Sequence, residues 1–149
     1  MTERGSYRTR EGSENNKTHA SGGAERLAGV LGQCTALVHL DLRGNEIEEA
    51  GTERLAGVVP QCPALAHLHL SYNHIGDAGA DSLAGVLPQC KALAHLNLCY
   101  NHIGPSGAER LVGQCTALLL LTLHGNRINK TGAESLRESW FGQPDRLVL

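Results

Sequence analysis

Leucines alternate with other residues in "LVHLDLRGN" (37–45). The same alternation returns in "LAHLHLSYN" (65–73), "LAHLNLCYN" (93–101) and "LLLLTLHGN" (118–126). A period of two places successive side chains on opposite faces of an extended chain. Each stretch therefore predicts a short β-strand. Between them the period changes. "GTERLAGVV" (51–59) sets Leu55, Val58 and Val59 at helical spacing, with Glu53 and Arg54 on the other side. It is rich in good helix formers and predicts an α-helix. Strand, turn, helix and turn then repeat, and strands joined by helical crossovers must be parallel.

The repeat is close to exact in register. Asn45, Asn73, Asn101 and Asn126 follow one another in steps of 28, 28 and 25 residues. Cys34, Cys62, Cys90 and Cys115 keep the same steps, as do Gly51, Gly79, Gly107 and Gly132. The last step is short because "LAGVLPQC" (83–90) becomes "LVGQC" (111–115). A unit of this kind cannot bury its leucines alone, so stability has to come from stacking its neighbours.

These four stretches fit L-x-x-L-x-L-x-x-N, and the chain resembles the leucine-rich repeats, specifically the ribonuclease-inhibitor type. The resemblance covers roughly residue 21 to the end. It implies an α/β solenoid, a short horseshoe with parallel strands on the concave face and helices on the convex face. Residues 21–36 would be an N-terminal half-repeat. Full repeats would start near residues 37, 65, 93 and 118, and residues 131–149 would form a C-terminal cap. Leu37, Leu40, Leu42, Ile47 and their equivalents would make the core. Asn45, Asn73, Asn101 and Asn126 would form a buried ladder bonded to loop backbone, because buried polar groups need partners.

The ends depart from the pattern. Residues 1–20 are polar, lack apolar periodicity and are expected to be a disordered tail. Trp140 and Phe141 are expected on the last helix, covering the end of the solenoid. "RLVL" at the terminus is expected to begin a fifth strand, with Leu147 in the first leucine place.

Three histidines recur at one strand position. His39, His67 and His95 face away from the core at equivalent places, and Leu120 breaks the series. Adjacent strands lie about 4.8 Å apart, so the imidazoles should stack as a ladder and resist joint protonation. One reading of the ladder is a zinc or copper surface; no carboxylate or thiolate completes it at a metal-motif spacing. The other is a duplicated unit whose histidine was copied. No metal site and no cofactor is assigned.

The remaining concave positions are Asp41, Arg43, His69, Ser71, Tyr72, Asn97, Cys99, Tyr100, Thr122 and His124. Together with the histidine ladder they are the candidate partner-binding surface. Tyr72 and Tyr100 should stand beside each other, and tyrosine is enriched at interface hot spots. Cys34, Cys62, Cys90 and Cys115 precede the strands at equivalent corners and read as buried structural thiols. Cys99, on the concave side, is the thiol expected to react.

Composition narrows the function. Thirteen basic and fifteen acidic residues give a net charge of −2, without the basic stripe that nucleic-acid binding needs. No apolar run is long enough for a signal peptide or a membrane span. Five cysteines, none in a C-x-x-C pair, suit free thiols in the cytoplasm. The two N-x-[ST] matches, at Asn16 and Asn129, are then idle. "GNRINKTG" (125–132) fails as a phosphate loop, since Asn129 and His124 stand where glycine is required. No nucleophile elbow, dinucleotide fingerprint or catalytic triad is legible.

The leading expectation is a non-catalytic protein-interaction module or scaffold that binds a protein through its concave face. The resemblance extends to the repeat arrays of NOD-like receptors and of Ran GTPase-activating proteins. It leaves a regulator of a small GTPase as an alternative, beside the metal-binding ladder.

Overall fold

Alternation of leucine with polar residues gives each strand one greasy edge, and stacking those edges fixes the molecule. The computed structural model describes residues 19–140 and 144–149. The strands are β1 (His39–Asp41), β2 (His67–His69), β3 (His95–Asn97), β4 (Leu120–Thr122) and β5 (Leu147–Val148). They pair in sequence order in one parallel sheet. The helices are α1 (His19–Leu31), α2 (Glu48–Val58), α3 (Asp77–Val86), α4 (Pro105–Gln114) and α5 (Lys130–Ser139). Each packs against the next, so the chain is an α/β leucine-rich-repeat solenoid.

The core is a set of aliphatic columns running through the repeats. Leu40, Leu68, Leu96, Leu121 and Leu147 form one, and Leu42, Leu70, Leu98 and Leu123 another. Ile47, Ile75 and Ile103 bring the loops in, while Leu55, Leu83, Leu111 and Leu136 come from the helices. Each fully buried leucine or isoleucine contributes about 1.5–3 kcal/mol relative to exposure. At the first repeat Leu37 is only partly buried, having a neighbour on one side alone.

Proline ends the middle helices. After α2 and α3 the chain tightens into single 3-10 turns at Val59–Gln61 and Leu87–Gln89, with Pro60 and Pro88 inside them. The shortened fourth unit has no such turn, and α4 ends at Gln114, directly before Cys115. The recurrent glycines mark close helix contacts. A Cβ on Gly79 would come within 2.7 Å of Ile75 Cγ2, and one on Gly107 within 3.0 Å of the Asp77 Cα.

The fifth strand is present in a different register. Leu147 pairs with Leu121, which puts it in the second leucine place rather than the first, and Leu149 in the third. Backbone pairing with β4 sets this register, where spacing along the sequence had suggested another. Trp140 is buried at the end of α5. Phe141 lies outside the described residues. So does the expected disordered tail, except that His19 and Ala20 already belong to α1.

Candidate functional site: the concave face and its tyrosine rim

Strand register builds the concave face row by row. His39, His67, His95 and Leu120 form the first row, and Asp41, His69, Asn97 and Thr122 the second. In the first row the His39 and His67 rings stack, with centroids 4.1 Å apart and planes within 8°. His95 meets His67 edge-on at 4.4 Å. Burial, then the neighbouring imidazoles of His39 and His95, holds His67 below the usual histidine range. Parallel rings keep their nitrogens side by side rather than converging on a point. Among the described residues, no group of three or more histidine, cysteine or acidic side chains is placed to hold a metal ion.

The second row ties itself down. Asp41 accepts the Arg43 backbone N–H at 3.1 Å and its guanidinium at 2.7 Å. Desolvation works against the Asp41 charge, but these two Arg43 contacts prevail and hold the carboxyl below its usual range. Asn97 accepts the Cys99 N–H in the same way at 3.0 Å. His69 differs. Its Nε2 lies 3.0 Å from Ser71 Oγ, and its Nδ1 lies 3.8 Å from Asp41 Oδ1.

Asp41, His69 and Ser71 therefore follow the order of a serine-hydrolase triad, which the sequence did not reveal because Asp41 comes from the preceding repeat, but Asp41 is too far from His69 for a hydrogen bond. The arrangement lacks what acyl transfer needs. Ser71 is only 2 % exposed. The N–H that follows it, on Tyr72, is spent on the Cys99 carbonyl at 3.1 Å, so it offers no oxyanion hole. The Asp41 carboxylate is shared with Arg43. Of Asp41 and Ser71, His69 is hydrogen-bonded to Ser71 alone, and burial together with Arg43 keeps its pKa below the usual value against the pull of Asp41. That bond also corrects the expectation that Ser71 is an exposed contact residue: the hydroxyl is covered and bonded to His69.

At the end of the strands the chain turns through a left-handed backbone. Gly44, Tyr72, Tyr100 and Gly125 occupy equivalent places, with φ of 67°, 58°, 52° and 75°. Two repeats thus use glycine where the conformation favours it, and two force a tyrosine into it. The tyrosine rings stack at 4.6 Å with planes within 12°. Tyr72 is 52 % exposed and Tyr100 45 %. His124 closes the far side, edge-on to Tyr100 at 5.4 Å. The signal for this strain was in the sequence, as glycine before Asn45 and Asn126, but only the backbone gives it meaning.

Beyond the tyrosines, His74 and His102 lie 5.0 Å apart. With Glu48, Glu49, Asp77 and Arg127 they line an open cleft of about 700 Å³. The asparagines hold this whole rim. Asn101 Oδ1 accepts the N–H groups of Asn73 and Ile75 at 3.0 and 2.9 Å. Its Nδ2 donates to the carbonyls of Leu70, Leu98 and Cys99. Asn73 does the same one repeat earlier. Both are buried, whereas Asn45 and Asn126, nearer the ends, are half-buried. The corner thiols divide likewise. Cys62 and Cys115 are buried, but Cys34 and Cys90 are half-buried, with their S–H groups directed at helix carbonyls. Burial pushes the Cys115 thiol up to about 12. Burial also raises Cys99, although the His124 backbone N–H pulls the other way. A raised thiol holds less thiolate, and burial raises Cys62 and Cys90 as well.

Comparison with known proteins agrees with the architecture. A family model described as Leucine Rich repeat matches residues 33–56, 61–84 and 89–112. No curated protein matches the chain. Among solved structures it is similar to leiomodin-1 actin-binding site 2, with a TM-score of 0.71 at 16% identity, over 83% of this chain and 77% of that one. It is also similar to the tropomodulin C-terminal domain from Caenorhabditis elegans, with a TM-score of 0.70 at 13% identity, over 85% and 81% of the two chains. At those identities the likeness is one of fold. Repeat matches, sheet and columns together give the chain the leucine-rich-repeat fold.

Proposed function

We propose that this chain is a non-catalytic protein-interaction module that engages its partner through the concave face, with Tyr72 and Tyr100 at the centre of the contact. The stacked, half-exposed tyrosine pair carries this reading. A left-handed conformation costs an L-residue about 1–2 kcal/mol, so the pair costs about 2–4. Ring stacking returns about 0.5–1.5 kcal/mol. Glycine, used at the same place in the first and fourth repeats, would avoid the strain. Glu46, Glu48 and His74 share the left-handed backbone, so what sets the tyrosines apart is a stacked pair of half-exposed rings on the rim, the kind of surface that partners bind.

The partner is read as a protein rather than nucleic acid or a bilayer. Arg43 is the cation on the candidate concave surface, and Asp41 already neutralises it. The 28-residue period with a full helix in each unit supports the ribonuclease-inhibitor type. Cysteines that stay unpaired support a reducing compartment such as the cytoplasm. Actin is the first partner to test, because it is named for the leiomodin-1 site.

The test is affinity capture from lysate, with actin co-sedimentation beside it, comparing wild type with Tyr72→Gly/Tyr100→Gly. The variant should stay folded, within about 1 kcal/mol of wild type, because relief of strain offsets lost stacking and the entropy of glycine. We expect its specific capture to fall at least about tenfold, the loss of one hot spot. Equal capture by a folded variant would overturn the reading.

A further inference from the structure

We propose that the outer face of Tyr72, above Gly44, is a slot for an aromatic side chain of the partner. This rests on the reading of the tyrosine pair as the contact centre and adds the chemistry of what docks there.

The stack has a direction. Its rings lean toward the C-terminal repeats: a Cβ built on Gly125 would lie 2.5 Å from Tyr100 Cδ1. Gly125 is thus the floor on which the last ring rests, and a larger residue would displace that ring. Tyr100 is covered on one side by Tyr72 and on the other by Gly125 and the edge of His124. At the other end, among the described residues, the one ring stacked on Tyr72 is Tyr100, on its inner face. A Cβ built on Gly44 would meet no atom within 4 Å.

Gly44 shares the left-handed backbone of the tyrosine positions, with φ of 67° against 58° and 52°. A ring attached there would lean onto Tyr72 as Tyr72 leans onto Tyr100. The repeat geometry therefore defines one more stacking place than the described residues fill. A partner ring entering it would continue the ladder at the spacing already present, 4.6 Å between centroids.

Stacking geometry selects the occupant, and the local charge does not override it. Arg43 precedes Gly44 and Glu46 follows two residues on, both exposed, while Asp41 is bound to Arg43. Arg43 and Glu46 carry opposite charges, and Arg43 is already bound to Asp41, so an ionic side chain of either sign gains no net attraction there. A neutral ring loses little on leaving water and gains offset stacking on Tyr72.

The experiment is an NMR titration of the full chain, labelled at amides and tyrosine rings, with N-acetyl-tryptophanamide as the probe and N-acetyl-argininamide as the comparison. We expect saturable ring-current shifts confined to Arg43, Gly44 and the Tyr72 ring. Two variants should abolish them. Gly44→Tyr places the protein's own ring in the slot, and Tyr72→Gly removes the platform. Shifts that do not saturate, that persist in either folded variant, or that the arginine compound produces instead would overturn the slot.

Capture with Gly44→Tyr separates this inference from the broader one. If Gly44→Tyr lowers capture at least about tenfold, as Tyr72→Gly/Tyr100→Gly does, partner docking in the slot is supported. If only the double variant lowers it, the contact surface stands and the slot falls. If neither lowers it while the probe still saturates, the slot stands as an aromatic-binding site and the contact-surface reading falls.

Discussion

His67 sits between two other imidazoles, and its titration follows from that position. Its folded pKa lies below the ordinary value because burial, and then the neighbouring His39 and His95, disfavour the charged form. The unfolded chain therefore takes up a proton that the folded chain refuses. Stability is complete above about pH 6.5, the unperturbed midpoint, and is lost as pH falls through that value toward the lowered one. We expect an NMR titration to place the His67 midpoint below that of a free imidazole. In His39→Ala/His95→Ala it should return toward the ordinary value; no change in that variant would assign the shift to burial alone. The ladder was legible in sequence because strand register is strict. The Asp41–His69–Ser71 cluster was not, since it needs two strands in contact and a covered hydroxyl.

Helices are where the sequence showed a pattern without its reason. Gly51, Gly79, Gly107 and Gly132 recur in register, yet recurrence alone cannot separate a turn from a close approach. The structure makes Gly107 a contact point: a Cβ there would lie 2.5 Å from Asp77 Oδ1 and 3.1 Å from the Ala80 Cβ. Gly107→Ala should lose about 1–3 kcal/mol through overpacking. Gly85, in α3, faces no atom within 4 Å. Gly85→Ala should gain about 0.5–1 kcal/mol from helix propensity. Urea denaturation of both variants checks this, and equal effects would remove the distinction between packed and open helix glycines. The four main strands were legible from alternation, but the register of β5 was not, because only pairing with β4 sets it.

For the whole molecule, stability lies between repeats rather than within them. Asn101 spends its side chain on five backbone groups, some of them in the preceding repeat. Asn101→Ala should cost about 3 kcal/mol or more, since several buried groups lose their partners together. Asn97→Ala, which gives up one bond to the Cys99 N–H, should cost about 1 kcal/mol or less. Similar denaturation midpoints for the two variants would show that the ladder is not the main tie. The number of repeats and the concave surface could be read from the chain, because period and alternation are local. The left-handed backbone at Tyr72 and Tyr100, shared by Glu46, Glu48 and His74, could not. A different consequence follows from Asp77, whose carboxylate accepts the N–H groups of Gly104 and Gly107 at 2.7 and 3.1 Å and so caps the start of α4 from the repeat before it. On a ribosome Asp77 is made first, and α4 emerges to find its cap already waiting. At that junction the order of synthesis and the order of assembly run in the same direction.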